Sequence, residues 1–504
     1  MSTASLLPTF DEKDNTMASE KPPTSDASRD EKKKKRANRP PSEDPRFIIE
    51  DSKSNWRTFA QLVFILSIVI SAYFIGAFDL YKYYDYLTQP SLSGAEKILK
   101  ENPLIDGHND LLILIRALYG NKIYGENFTE PFEQGNMTGH FDLRRAEKGQ
   151  LGGTFWSAWV PCPADGFDFS DENYAPFVKA TLEQLDLFNR IAAKHPKYFT
   201  LPKNAAEAER NFEKKGQLIS PLAIEGLHQI GNSIATLRLY HELGVRYATL
   251  NWNCHNRYTD AAVVSVDGES QRSKPYWGGV SDEGRKLIRE MNRLGMLVDL
   301  SHVSPDTMRD VLGGSPEKGW KGSIAPPIFS HSSVYSICPH PRNVPDDILH
   351  LVKKRNSVVM INFAPEFISC KDVGAENGLP EFVNKTNTIE HVVEHIMYIG
   401  ELIGYDHVGL GSDFDGIPTT PRGLDDVSKY PDLINLLLEK GVSEKDAAKI
   451  AGRNVLRVWH EADKVAAKLQ KEIEPLEDDL PDGIGMMRVL VNQGGVDIEV
   501  KSEL

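Results

Sequence analysis

From about residue 95 onward, eight short apolar runs alternate with stretches of helical periodicity, and this alternation constrains the fold more than any other feature. The runs are Leu104–Asp106, Gly153–Pro161, Leu218–Glu225, Arg246–Asn251, Met296–His302, Pro327–His331, Val358–Ala364 and Val408–Asp413. Several are apolar on both faces, as in Val358-Val359-Met360-Ile361, which suits a parallel sheet covered on both sides. Between them lie helix candidates. One follows Ser281-Asp282-Glu283-Gly284 and repeats apolar residues at Leu287, Ile288, Met291 and Leu294. Others open at Pro345-Asp346-Asp347 and at Ser443-Glu444, and a longer one spans Tyr174 to His195. Strands interleaved in this way predict an α/β protein, a (β/α)8 barrel of the TIM type. An open doubly wound sheet is the alternative, although no G-x-G-x-x-G follows an early strand.

In such a barrel the chemistry sits at the C-terminal strand ends, and His108, Glu225, His302, His331 and Asp413 all fall at or near run ends. Asp110 follows His108 in Ile105-Asp106-Gly107-His108-Asn109-Asp110, where strand alternation aims the two side chains together. Nitrogen and oxygen donors without a thiolate suit Zn²⁺. Two Zn²⁺ ions fit this set if Glu225 gives one oxygen to each, with His108 and Asp110 on one ion and His302 and His331 on the other. A water shared by two ions would be acidified towards hydroxide. Each residue also has a plainer reading. Glu225 before Gly226 could cap a helix, His302 before Val303-Ser304-Pro305 could belong to an N-cap, and His331 between two serines could be a turn. Asp413, in Gly411-Ser412-Asp413-Phe414-Asp415-Gly416, is placed to move a proton as general acid/base. Arg342 can hold a substrate carboxylate in bidentate fashion, or form a surface ion pair.

The N-terminal region has a different character. Residues 1–57 are rich in Ser, Pro and charge and are expected to be a disordered cytosolic tail. Thr58 to Phe78 contains no charged residue and is about as long as the 20 or so residues that cross a bilayer. Arg39, Arg46, Lys53 and Arg57 precede it, which puts the N-terminus in the cytosol. Residues 79–94 read as a juxtamembrane linker, 95–460 as the barrel and 461–504 as a charged tail. The sequons at Asn127, Asn136 and Asn384 and all four cysteines lie after the apolar stretch, as an extracellular or lumenal domain would have them. A formal net charge of −14 argues against a nucleic-acid partner.

The segments IDGHND, AIEG, LVDLSHVS, IFSHSSVYSICPHPRNVPDD, VMINF, ISC, GLGSDFDG and GLDDVSKYPDL together closely resemble the membrane dipeptidase family, also called renal dipeptidase or peptidase family M19. The resemblance covers roughly residues 95 to 460. It implies an amidohydrolase-type barrel with two zinc ions: His108 and Asp110 on one, Glu225 bridging, His302 and His331 on the other. It also implies Asp413 as catalytic acid/base together with the metal-bridging Glu225, and Arg342 on the substrate carboxylate. Matching family positions imply the disulfides Cys162–Cys254 and Cys338–Cys370. One position departs from the pattern. The family often carries a histidine two residues before the cysteine of this strand, and here Trp252 stands there, with His255 close by. Both are expected at the substrate.

These readings lead to an expected membrane-anchored zinc dipeptidase, acting on dipeptides that include the Cys-Gly type. Another amidohydrolase on the same metals and a catalytically weak binding protein that keeps the fold are the alternatives. The expected partners are dipeptides, the membrane through residues 58–78 and, as an open option, a second copy in a homodimer.

Overall fold

The computed structural model describes Trp56 and residues 59–73, 93–266, 268–477, 489–492 and 495–498. Two units separate, Met1–Gln89 and Pro90–Leu504. In the first, residues 59–73 form a helix whose apolar side chains, among them Leu62, Phe64, Ile65 and Val69, are exposed. Among the described residues no helix is long and apolar enough to cross a membrane. Residues 58 and 74–78 of the expected span lie outside the described residues, as do the expected tail apart from Trp56 and most of the expected linker.

The second unit is built on eight parallel strands: β1 Leu104–Asn109, β2 Leu151–Ala158, β3 Leu222–Glu225, β4 Val245–Thr249, β5 Leu297–Asp299, β6 Ile328–Phe329, β7 Val358–Ile361 and β8 Val408–Leu410. Each pairs with the next, and β8 pairs with β1 through Asp106 and Leu410. The barrel is therefore closed, and the open-sheet alternative is set aside. A helix follows every strand, beginning with Leu111–Tyr119 after β1 and Asp171–Lys194 after β2.

Period-two alternation sorts the strand residues into two cores. Ile105, Phe155, Ala223, Tyr247, Leu297, Val358 and Met360 face the barrel interior. Leu104, Trp156, Ile224, Ala248, Val298, Phe329, Val359 and Leu410 pack outward against the helices. The helices start where their capping residues dictate: Ser281 accepts the Gly284 N–H, and Ser304 accepts the Thr307 N–H. His302 is thus not the capping residue of its helix. Gly107 is required by space, because a Cβ there would run into the Ser330 carbonyl and the Met360 side chain.

Two expectations are corrected. The run Leu218–Glu225 is not one strand. Leu218–Ile219 pairs at the outer edge with Phe199–Thr200 and Gly153, and Pro221 separates it from β3. The charged tail does not start at 461. The helix Asn454–Glu472 continues through that point, with Ala462, Ala466 and Leu469 buried and its charges outward. Its Trp459 closes the barrel floor, 5.7 Å from the Phe155 ring. Beyond it, Val489–Asn492 and Gly495–Ile498 pair as an antiparallel hairpin.

Both disulfides form as the family positions imply, Cys162–Cys254 and Cys338–Cys370. The first ties the loop after β2 to the loop after β4, and the second ties the loop after β6 to that after β7. Their sequence separations are 92 and 32 residues. Replacing Cys162 and Cys254 together by Ser should cost about 4–5 kcal/mol through loop-closure entropy, and the second pair about 3–4 kcal/mol. Urea unfolding without reductant measures this. Losses under 1 kcal/mol would show that the bonds constrain neither state.

Candidate active site

Four strand ends bring five side chains to one point above the barrel axis. Glu225, the last residue of β3, is the hub. Its Oε1 lies 2.8 Å from His302 Nε2 and 3.4 Å from His331 Nε2, while its Oε2 lies 3.6 Å from His108 Nε2. Asp110 Oδ2 is 3.1 Å from His108 Nε2. Neither the helix-cap reading of Glu225 nor the turn reading of His331 describes this arrangement. All five side chains are buried.

The remaining ring nitrogens of the histidines are engaged from behind. Ser330 Oγ donates to Asp299 Oδ2 at 2.6 Å, so it accepts from His331 Nδ1 at 2.8 Å. Asn253 Oδ1 accepts from His302 Nδ1 at 3.0 Å. Tyr247 OH donates to the Gly107 carbonyl and so accepts from His108 Nδ1 at 2.7 Å. With Nδ1 carrying the proton in the His302 and His331 rings, their Nε2 lone pairs converge on Glu225. Burial, then the Arg342 guanidinium, pushes His302 down to about 3, and burial holds His331 well below the imidazole range. Both rings are therefore neutral, yet their Nε2 atoms stand 3.0 Å apart with no proton to share.

A cation resolves that repulsion. Asp110 points the same way. It occupies the N-cap position of the helix Leu111–Tyr119 but makes no capping bond, and its Oδ1 is buried without a hydrogen-bond partner. Burial lowers the pKa of His108, but Tyr247, Asp110 and Glu225 outweigh it and hold it well above the ordinary value. The field between these atoms attracts positive charge. His108, Glu225 and His331 form one group able to hold a metal ion, and His108, Asp110 and Asp413 another. The residues present thus fit a metal centre on the chemistry of their donors.

Asp413 lies in a turn beyond β8 and accepts from Asn362 Nδ2 at 3.2 Å. Burial pushes its carboxyl up to about 7, with His108 and Arg342 pulling against Asp110 and Glu225. Its φ is 65°, and that of His302 is 68°. Left-handed backbone at a non-glycine residue costs about 1–3 kcal/mol, so two site residues are held in strained conformations by their surroundings. His140 contributes to this for the Asp413 turn. Its backbone N–H donates to Asp415 Oδ1, its Nδ1 accepts the Asp415 N–H at 2.9 Å, and its ring stacks on Phe414.

Arg342 is buried rather than on the surface, so the ion-pair reading fails. Its guanidinium lies over the Phe367 ring at 4.9 Å, and its Nε has no hydrogen-bond partner. Burial lowers its pKa to about 10, which leaves it charged at neutral pH. It lines a cavity of about 270 Å³ together with Asp110, Glu225, Trp252, His302 and Asp413. His255 is not in this lining. It is buried against Asp260, 3.1 Å away, and accepts the Ala261 N–H, so its position in the turn directs it away from the substrate side. Trp252 does face the cavity, half-buried.

The match to the family model for the membrane dipeptidases, peptidase family M19, runs over residues 92–473. The chain belongs to that family. It is similar to dipeptidase aclJ of Aspergillus oryzae, with 43% identity over 393 residues, 77% of this chain and 84% of the relative. It is also similar to dipeptidase tcpJ of Claviceps purpurea, 39% identical over 414 residues, 78% of this chain and 90% of that protein. Among solved structures, a metallo peptidase from Rhodobacter sphaeroides, liganded with a phosphinate mimic of L-Ala-D-Ala, superposes with a TM-score of 0.59. It is 26% identical and covers 72% of this chain and 99% of its own. The probable dipeptidase PvdM of Pseudomonas aeruginosa, at 19% identity and a TM-score of 0.62, covers 74% of this chain and 98% of its own and shares the fold.

The M19 motifs in the sequence contain Ser330 and Asn362 but omit Tyr247, Asn253 and Phe367. Tyr247, Asn253, Ser330 and Asn362 hold the inner residues, and Phe367 backs Arg342. Tyr247 had a legible signal, being an aromatic hydroxyl at an inward position of a barrel strand. Asn253 sits in a loop and Phe367 in the one-turn helix Pro365–Ile368, where nothing in the local pattern marks them.

Proposed function

We propose that this M19 chain is a metal-dependent dipeptidase, with two Zn²⁺ ions held by His108, Asp110, Glu225, His302 and His331. One observation carries the reading. Three imidazole Nε2 atoms converge on one buried carboxylate, and that carboxylate lines one small cavity with a buried arginine that has an unpartnered nitrogen. When bound, such ions acidify water and polarise a carbonyl. The protein's own groups supply the rest. Arg342 binds the C-terminal carboxylate and so fixes the scissile bond over Glu225. Asp413 takes a proton from the attacking water and hands it to the leaving amine. The names of aclJ and tcpJ, both dipeptidases, support the substrate class, and peptides of the Cys-Gly type fall within it.

The proposal extends to location. Residues 58–78 anchor the chain in a membrane with its N-terminus cytosolic and the barrel extracellular or lumenal. Two disulfides suit an oxidising compartment. Asn127, Asn136 and Asn384 are all exposed, as glycan acceptors must be.

The test uses the full-length chain in detergent. Metal content is measured, and free dipeptides are compared with tripeptides and N-acetylated dipeptides. Two equivalents of zinc and a preference for free dipeptides are expected. Faster cleavage of the acetylated compounds, or no turnover at all, rejects the reading. Arg342→Ala should lower kcat/KM about 10–100-fold, mainly through KM, the range for a lost charge-assisted contact. Lysine at that position should recover part of it.

A further inference from the structure

Two indoles form one wall of the cavity. Trp159, one residue past β2, and Trp252, three past β4, meet edge to face with ring centroids 5.0 Å apart and an interplanar angle of 75°. Both are half-buried and both line the cavity. The Trp252 ring also lies 6.2 Å from that of His302, so the wall reaches the edge of the metal cluster. The Cys162–Cys254 disulfide joins the same two loops, three residues beyond Trp159 and two beyond Trp252. The edge-to-face contact is therefore held by a covalent crosslink and not by packing alone.

The strand order says which part of a substrate this wall meets. Around the closed barrel β2 stands opposite β6, and β3 opposite β7. Arg342 follows β6, and Phe367, beneath it, follows β7. The indole pair follows β2 and β4, which flank β3. A dipeptide whose carboxylate is held on the β6–β7 side, with its peptide bond over Glu225, extends its N-terminal residue towards the β2–β4 side. On the reading of the site as a dipeptidase, we infer that Trp159 and Trp252 form the subsite for the N-terminal side chain and select aliphatic or aromatic residues there. Ile113 and Ile417 add to the apolar lining of the same cavity. Trp159 is a specificity-determining residue, and its edge sets the depth of the subsite.

The two positions of the substrate can be tested separately. The full-length zinc-loaded chain is assayed on an Xaa-Gly series and a Gly-Xaa series, with Xaa as Gly, Ala, Leu, Phe and Asp. In the Xaa-Gly series kcat/KM should rise at least about 10-fold from Gly to Leu or Phe, the scale of apolar pocket discrimination, and fall for Asp. The Gly-Xaa series should vary less than about threefold. Trp159→Ala should compress the Leu-Gly to Gly-Gly ratio about 10-fold, and Trp159→Phe should keep most of it. A steeper dependence on the C-terminal residue overturns the assignment. So does an equal loss on all substrates in Trp159→Ala, which marks a structural role. If the wild-type chain hydrolyses Xaa-Gly peptides with no dependence on Xaa, the dipeptidase reading stands and the subsite falls. If it hydrolyses none, both fall.

Discussion

Asp413→Asn should retain its zinc and lose between about 10²- and 10⁴-fold in kcat, the usual cost of removing a general acid/base. Asparagine keeps the size of the side chain and can still hydrogen-bond Asn362. It tolerates the left-handed backbone at φ 65° as well as aspartate does. What it cannot do is carry a proton between water and the leaving amine. The burial that pushes the Asp413 carboxyl up to about 7 also makes it a group able to give and take a proton near neutral pH. Metal analysis together with steady-state kinetics decides the matter. Turnover within threefold of wild type would remove Asp413 from the chemistry, and a loss of zinc would move it into the ligand set.

Glu225→Gln should behave differently, losing metal and activity together. Glu225 alone addresses all three histidines, through Oε1 on one side and Oε2 on the other. An amide offers one oxygen and turns an N–H₂ towards ring nitrogens or metal ions. Zinc occupancy should fall below half, and turnover should become too slow to measure against background. Dialysis of the wild type against a chelator should give the same loss of activity, reversed by adding Zn²⁺. A Glu225→Gln chain with full zinc would show that the histidines hold the ions without a bridge.

The outline of this site was legible because barrel chemistry gathers at strand ends, and the ends of apolar runs can be found by eye. His108, Glu225, His302 and His331 follow from that rule, and Asp110 follows from its spacing to His108. Arg342 was legible as a carboxylate binder or a surface ion pair, but the choice between them was not, since its burial over Phe367 joins a loop and a one-turn helix that sequence spacing does not bring together. His255 was misplaced for the same reason. Its neighbour Asp260 holds it in the turn, and sequence proximity to Trp252 says nothing of direction. The end of the domain was hidden by composition. Charges on the outer face of Asn454–Glu472 masked the buried Ala462, Ala466 and Leu469.

The position of Trp459 bears on how the chain is made. The barrel interior is closed below by a helix that comes after all eight strands, and β1 has no second neighbour until β8 arrives. A ribosome therefore releases most of this domain before the barrel interior can be sealed from water. Contacts this distant in sequence form late and slowly. Stopping synthesis before residue 454 would leave the ring of strands without a floor. Such a fragment should be cleared as unfolded protein, even though every candidate ligand and both disulfides lie upstream of the break.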